Sequence, residues 1–457
     1  MTSTDAGSGR RVAVIGGGIS GLACAHALAV EHGVAVELFE ASAAVGGKMR
    51  TSAFAGLPAV DEGPDAFLAR VPGASSLAVA VGLGDALVAP QSGAAAVWWN
   101  QLHPIPGGLL LGMPTGIAAL SRTRLLTWRG KARAALEPLR PATSTAGDSL
   151  GAFVRARFGD EVHERLVDPL IGSIYAADTD RFSLAAVPQV AELASSARSV
   201  LLAGRRRAQP PAHGTPVFLA PTAGLESLAQ SVAAAVERAG GIVHRNAPVD
   251  ALAASPDGWH LAGADAGPFD AVVLAVPPPS AAGLLRSAGA AESADRVAAI
   301  EASDVVIVTV AVDARDWPQR LVGLSGYLVP KPVQSLVTAV SFGSQKWAHW
   351  ASADSVILRI SLGRDGLPVL HLDDDRLVEA AVSETGAHLG LDLRPHAVRV
   401  TRWPGAFPQY RPHHADRVAD IRRRLPEGID VTGAAFDGIG IPACIRSAQA
   451  AAARVGA

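Results

Sequence analysis

The stretch "RRVAVIGGGISGLACAHAL", residues 10–28, decides the fold. "RVAVIG" (11–16) is an apolar, β-branched run and reads as a buried strand, while "SGLACAHALAVEHG" (20–33) reads as a helix stopped by Gly33. Between them Gly16, Gly18 and Gly21 satisfy G-x-G-x-x-G. At a strand-to-helix junction the first glycine permits the tight turn, the second lets backbone approach a pyrophosphate, and the third lets helix and strand pack closely. The helix N-terminus that follows offers unpaired amides and a partial positive charge to the phosphates. "VAVELFEA" (34–41) is the next buried strand and completes a βαβ unit.

Glu40 stands at the end of that strand, 24 residues after Gly16, where a carboxylate can accept from both ribose hydroxyls. Shortly afterwards "VGGKMRT" (45–51) places Gly46 and Gly47 where a second backbone segment can reach the same pyrophosphate. A domain for NAD alone does not require that second pair, so FAD is the expected cofactor. "DEGPDAF" (61–67) carries the turn Gly63–Pro64, which either borders an isoalloxazine ring or is an ordinary turn. No second G-x-G-x-x-G is present to hold a nicotinamide cofactor, which favours dioxygen over NADPH as redox partner.

The chain has 457 residues, 49% of them hydrophobic, which predicts a globular protein of about two or three domains. A formal net charge of -2 gives no overall reason to expect nucleic acid or an anionic membrane as main partner. Cys24 and Cys444 fit no metal spacing; a reducing, cytoplasmic compartment is the expectation, with Cys24 a small apolar residue inside the first helix. Residues 1–9 are polar and read as a loose leader, not a signal peptide. "GGLLLGMPTGIAAL" (107–120) is too short and too broken by Pro114 and glycines to span a bilayer.

After a first α/β segment (1–93), the texture over 94–212 predicts a mostly helical insertion, closed by a loop at "GRRRAQPPAHGTP" (204–216). The α/β texture resumes over 213–281 with a helix, a strand, and a further buried strand in "FDAVVLAVPPPS" (269–280). Runs such as "SDVVIVTVAVD" (303–313) and "SVILRISLG" (355–363) predict a mainly antiparallel sheet with helices over 282–395. The segment 396–457 returns to strand, glycine-rich turn and helix in "GIDVTGAAFDGIGIPACIRSAQAAAARV" (428–455). That turn offers amides to a flavin edge or ribityl chain, or is a helix cap.

GGGISGL, Glu40, VGGKMRT and DEGPD occur in the order found in the flavin amine oxidase superfamily, and the resemblance covers essentially the whole chain. "DPLIGSIYAADTDRFSLAA" (168–186), "FLAPTAGLESL" (218–228), "RWPGAFPQYRPHH" (402–414) and "GAAFDGIGIPACIRSA" (433–448) narrow it. Together they resemble the FAD-dependent protoporphyrinogen and coproporphyrinogen oxidases of Gram-positive and actinobacterial type. The resemblance implies an α/β fold: a Rossmann-like FAD-binding domain of the GR2 type, a mixed α+β substrate domain and the helical insertion.

Residue by residue, it places Gly16, Gly17, Gly18, Ile19, Ser20, Gly21, Glu40, Ala41, Gly46, Gly47 and Lys48 around the dinucleotide. Gly63, Pro64, Asp65 and Ala66 then fall near the flavin. Val249 matches a position whose backbone meets adenine, and Trp403, Ile439, Gly440 and Ile441 match positions that line the flavin.

It further implies hydride transfer from a bridging carbon of a porphyrinogen to flavin N5 in three cycles, with dioxygen as acceptor and hydrogen peroxide released. Such chemistry belongs to the cofactor and needs no Ser-His-Asp nucleophile and no metal, and neither pattern is evident. The adjacent His413 and His414 point apart and are expected at a surface or pocket edge. Carboxylates of a porphyrinogen favour Arg and Lys; the candidates are Arg50, Arg70, Arg205, Lys331, Lys346 and Arg411. The Gram-positive and actinobacterial resemblance favours coproporphyrinogen III. Protoporphyrinogen IX is the runner-up; an amine oxidase, a carotenoid desaturase or a non-catalytic FAD-binding protein stands further off. Oligomeric state and peripheral membrane contact stay open.

Overall fold

The computed structural model describes residues 9–141, 149–196, 198–207, 216–264 and 266–456. Most of the leader (1–8) therefore lies outside the described residues. Strand Arg11–Ile15 runs into helix Ile19–His26, which widens into π-helical turns over Ala27–Glu31 before Gly33 turns the chain back with φ +66°. Strand Ala35–Phe39 then pairs with the first strand in parallel, Val12 opposite Val36.

Five parallel strands make the first sheet, in the spatial order Ile242–His244, Ala35–Phe39, Arg11–Ile15, Ala271–Leu274, Ile429–Val431. In chain order this is 3-2-1-4-5, so the order reverses between the first strand and Ala271–Leu274. Ligands of doubly wound sheets bind in the crevice at such a switch point, beyond the carboxyl ends of the strands. Continuous apolar runs such as Val12, Ala13 and Val14 are fully buried because helices cover both faces. One face packs against Ile19–His26, Leu225–Arg238 and Ile441–Gly456, the other against Pro278–Ser287 and Ala291–Ala298.

The second sheet has seven strands, ordered Ala397–Pro408, Ala302–Asp313, Ser355–Leu362, Val337–Phe342, Leu324–Leu328, Ala94–Trp98, Leu102–Pro104. Every pairing is antiparallel except Leu324–Leu328 with Ala94–Trp98. The first residues expected to be helical, 94–104, are thus the edge of this sheet. Their short apolar run satisfied neither periodicity clearly, and pairing more than two hundred positions away decided it.

A helical layer follows, with helices such as Leu150–Phe158 and Val200–Arg207 around a core that includes Phe153, Phe158, Leu166 and Phe182. Gly204–Arg207, expected in a loop, end the last of these helices; the rest of that expected loop, 208–215, lies outside the described residues. Inside the layer Arg157 and Glu137 form an ion pair with 2% and 0% side-chain exposure. Glu137 also accepts from Ser199 Oγ (2.6 Å) and Val200 N (3.0 Å), which caps the helix that starts there. No helix of the described residues is long and apolar enough to cross a membrane.

Removing one member of such a pair leaves a buried charge without a partner, at a cost of about 3–5 kcal/mol. Arg157→Met is expected to lower the urea midpoint accordingly; an unchanged midpoint in a denaturation titration would show that the pair carries no stability.

Candidate functional site

Gly16 leaves the first strand with φ +106°, and a Cβ there would lie 2.6 Å from the carbonyl oxygen of Ala275, at the end of the neighbouring strand. A Cβ on Gly21 would stand 1.8 Å from Gly16 O, so the helix packs directly on the turn. Gly18 differs: a Cβ would meet nothing within 4 Å. It is the N-cap of helix Ile19–His26, with no side-chain cap and no acidic residue in the first turn. The helix therefore presents bare amides to open space, the arrangement that receives a pyrophosphate.

The second glycine pair reaches the same place. Gly46 N donates to Gly17 O at 2.8 Å, Gly18 and Gly46 form a parallel bridge, and a Cβ on Gly47 would lie 3.3 Å from Gly18 Cα. Ser20 is buried, and its hydroxyl faces Gly433 of the C-terminal turn, 3.5 Å from where a Cβ would sit. Ala41 and Lys48 are exposed beside this loop.

Glu40 is tied down by the chain itself. Oε2 accepts from Gly17 N at 2.7 Å, and Oε1 accepts from Ser42 N (2.8 Å) and Ser42 Oγ (2.7 Å). The segment holding Val249 lies against it: Ala247 N donates to Glu40 O at 2.9 Å and Asn246 N to Ser42 O at 3.0 Å. The chain just before Val249 is thus bonded to the segment that carries Glu40. Ser42 carried no signal of its own in the sequence.

On the other side, Gly63 packs so closely that a Cβ would stand 2.1 Å from Lys48 O and 3.4 Å from the Trp403 ring. Trp403 Nε1 donates to Glu62 O at 3.0 Å, while Arg50, ion-paired to Glu62 through Nε (2.5 Å), lies 5.1 Å from the Trp403 ring centroid. Arg359 donates to the Gly63 carbonyl and lies 3.3 Å from Asp65, which also binds Lys346 Nζ (2.9 Å) and Trp347 Nε1 (3.2 Å). Burial pushes the Asp65 carboxyl up, but Lys346 and Arg359 outweigh it and hold the group well below the usual carboxylate range. Pro64 is half-buried, and Ala66 packs beside Trp347 and Trp350.

The C-terminal turn lies beside Ser20 of the first helix. Ile441 is buried at the start of its helix, Ile439 packs on the helical layer, and Gly440 is exposed with open space at its Cβ position. Tyr410 holds this turn, donating to Ala434 O and accepting from Gly438 N at 2.9 Å. Its ring stacks on His414 at 4.1 Å, and burial, with the charge of Arg417, pushes that imidazole down to about 4. His413 is exposed, so the two histidines diverge. Nothing in the sequence pointed to Tyr410, because its partners lie on another segment.

Most of the basic candidates for substrate carboxylates are already neutralised. Lys346 pairs with Asp65, Lys331 with Asp178 (2.6 Å), Arg411 with Asp365 (2.6 Å) and Glu301, and Arg50 with Glu62. These four serve the fold around the site instead of waiting for an anion. Arg70 and Arg205 are exposed and have no acidic partner among the described residues. No group of His, Cys, Asp and Glu among the described residues has the makings of a metal site.

A family model described as flavin containing amine oxidoreductase matches residues 19–456. The coproporphyrinogen III oxidase of Bacillus subtilis (strain 168) is 31% identical, over 97% of this chain and 97% of its own. That of Mycobacterium bovis (strain ATCC BAA-935 / AF2122/97) is 34% identical, over 98% of this chain and 97% of its own. A crystal structure from Exiguobacterium sp. 255-15, assigned to the protoporphyrinogen oxidases, superposes with a TM-score of 0.85 at 31% identity, over 98% and 99% of the two chains.

Open space at Gly18 separates folding from ligand binding. Gly18→Val is expected to melt like the wild type in circular dichroism yet lose at least about ten-fold in FAD affinity, because the side chain fills the pyrophosphate approach; stoichiometric flavin absorbance in the purified variant would contradict this.

Asp61 supplies a pH test. It accepts from Thr51 Oγ1 (2.6 Å) and from Leu225 N (2.9 Å) at the start of helix Leu225–Arg238, and burial pushes its carboxyl up to about 6. A raised carboxyl favours the folded state below the unfolded value near 4, and that advantage is lost as pH climbs through 6. Asp61→Asn is therefore expected to gain stability relative to wild type, by up to about 3 kcal/mol, between pH 4 and 7. A pH-independent difference between the two unfolding curves would remove Asp61 as the cause.

Proposed function

The chain belongs to the flavin containing amine oxidoreductase family, and from that premise we propose that it oxidises coproporphyrinogen III to coproporphyrin III in haem biosynthesis, in the cytoplasm. The observation that carries this reading is full-length similarity, above 30% identity, to coproporphyrinogen III oxidases from both a Bacillus and a Mycobacterium. The cofactor is FAD, and the structure fits it: bare helix amides, a second glycine pair at the same point and a carboxylate at the ribose position converge at the switch point. When bound, FAD would supply the acceptor for hydride from a methylene bridge, with dioxygen as the final acceptor; three rounds would remove six hydrogens and release three molecules of hydrogen peroxide.

The chain's own residues position and shield. Gly17, Gly18, Gly46 and Gly47 bring backbone to the pyrophosphate, and Glu40 faces the ribose with its geometry already set by Gly17 and Ser42. Gly63–Ala66, held by Arg359, Lys346 and Trp347, borders the ring on one side, with Trp403 packed against Gly63. Ile439–Ile441 border the other side, with Tyr410 fixing their approach. Arg70, five positions beyond Asp65, exposed and without an acidic partner among the described residues, is the cation we assign to a substrate carboxylate. The second reading, protoporphyrinogen IX as substrate, takes its support from the Exiguobacterium structure.

The substrates separate in air. Porphyrin fluorescence is expected to grow faster from coproporphyrinogen III than from protoporphyrinogen IX, and the reverse order would overturn the substrate assignment. Arg70→Ala is expected to raise KM for coproporphyrinogen III about ten-fold, the loss of one charge-assisted hydrogen bond; an unchanged KM would remove Arg70 from the site.

A further inference from the structure

Segment 103–124 folds around a cavity of about 640 Å³ that shares no lining residue with the dinucleotide or flavin walls; His103, Pro104, Pro106, Thr115, Arg122 and Arg124 line it. Sites for small organic molecules span roughly 300–1,000 Å³. Arg122 ends helix Ile117–Arg122, and the next residue, Thr123, is extended (φ -72°, ψ 141°). Arg122 and Arg124 both line the cavity, and Thr123 between them is buried, its hydroxyl accepting from Leu125 N at 3.2 Å.

Neither arginine has an acidic partner among the described residues, and no acidic side chain lines the cavity. This sets them apart from Arg155, Arg157 and Arg165 of the same layer, each of which is paired with a carboxylate. Lys131 adds a third cation to the neighbourhood, with Nζ donating to Ser121 O at 2.9 Å. The rest of the lining is His103, two threonines, and proline and glycine, and at Gly107 and Gly116 a Cβ would meet nothing within 4 Å. Two cations without acidic partners on the wall of one cavity suit two neighbouring carboxylates on one edge of a flat apolar ring.

We propose that this cavity is a second binding site for a carboxylated tetrapyrrole, apart from the site of oxidation, and that Arg122 and Arg124 grip two adjacent carboxylates of the product. The proposal rests on the porphyrinogen reading above. The helical core that packs against Ile439 also packs against Leu109 and Leu110, so one apolar layer joins this cavity to the flavin wall.

Calorimetric titration of the FAD-loaded protein with coproporphyrin III tests it. Wild type is expected to bind two equivalents, and the double variant Arg122→Gln/Arg124→Gln to lose one of them or weaken it at least ten-fold. Flavin content and kcat/KM for coproporphyrinogen III should stay within two-fold of wild type. The variant Arg122→Lys/Arg124→Lys keeps the charge without the forked geometry and is expected to bind the second equivalent with intermediate affinity. A single equivalent in wild type, an unchanged second equivalent in the Gln variant, or a parallel loss of kcat/KM would each overturn the proposal. Wild type that oxidises coproporphyrinogen III yet binds one equivalent sinks the second site alone; wild type that does not oxidise it sinks the underlying reading.

Discussion

Gly17 is held from both sides: its N–H donates to Glu40 at 2.7 Å and its carbonyl accepts from Gly46 at 2.8 Å. Three segments are fastened there, the first turn, the end of the second strand and the second glycine loop. A side chain at Gly17 would place its Cβ 2.9 Å from Glu40, so the junction exists only because the residue is glycine. Glu40 and Ser42 in turn fasten Asn246 and Ala247. The helix starts without a side-chain cap, beside the open space at Gly18.

The flavin side is built by a different force. Here the turn Gly63–Ala66 is fixed by charges buried beside it, with Asp65 between Lys346 and Arg359, and Arg359 bonded to the Gly63 carbonyl as well. Buried charges hold a geometry well when each finds partners, because leaving any of them unpaired is costly. The seven-stranded sheet supplies both Arg359 and Trp403, and the turn they touch follows the antiparallel hairpin Thr51–Phe54/Leu57–Asp61. Tyr410 fastens the C-terminal turn to the helical layer through its contacts with Phe182 and Gly438.

Local signals were legible in the sequence. The βαβ unit, the glycine loops, Glu40 and the strand-turn-helix at 428–455 announce themselves within short windows, because turn sterics and helix starts are set by neighbours. Partners were not legible. Lys346 and Arg411 read as free cations for a substrate, yet their carboxylates lie 281 and 46 positions away. Residues 94–104 read as part of a helical segment, and their pairing with 324–328 made them strands. Tyr410 and Arg359 gave no signal, since each gains its role only from contacts that the topology creates.

If electrons leave a coproporphyrinogen for a flavin seated on the Gly17–Gly46 junction, anaerobic stopped-flow mixing of the FAD-loaded protein with coproporphyrinogen III will bleach the oxidised-flavin absorbance in a single turnover, and admitting air will restore it. Flavin that stays oxidised in the presence of coproporphyrinogen III would contradict that transfer.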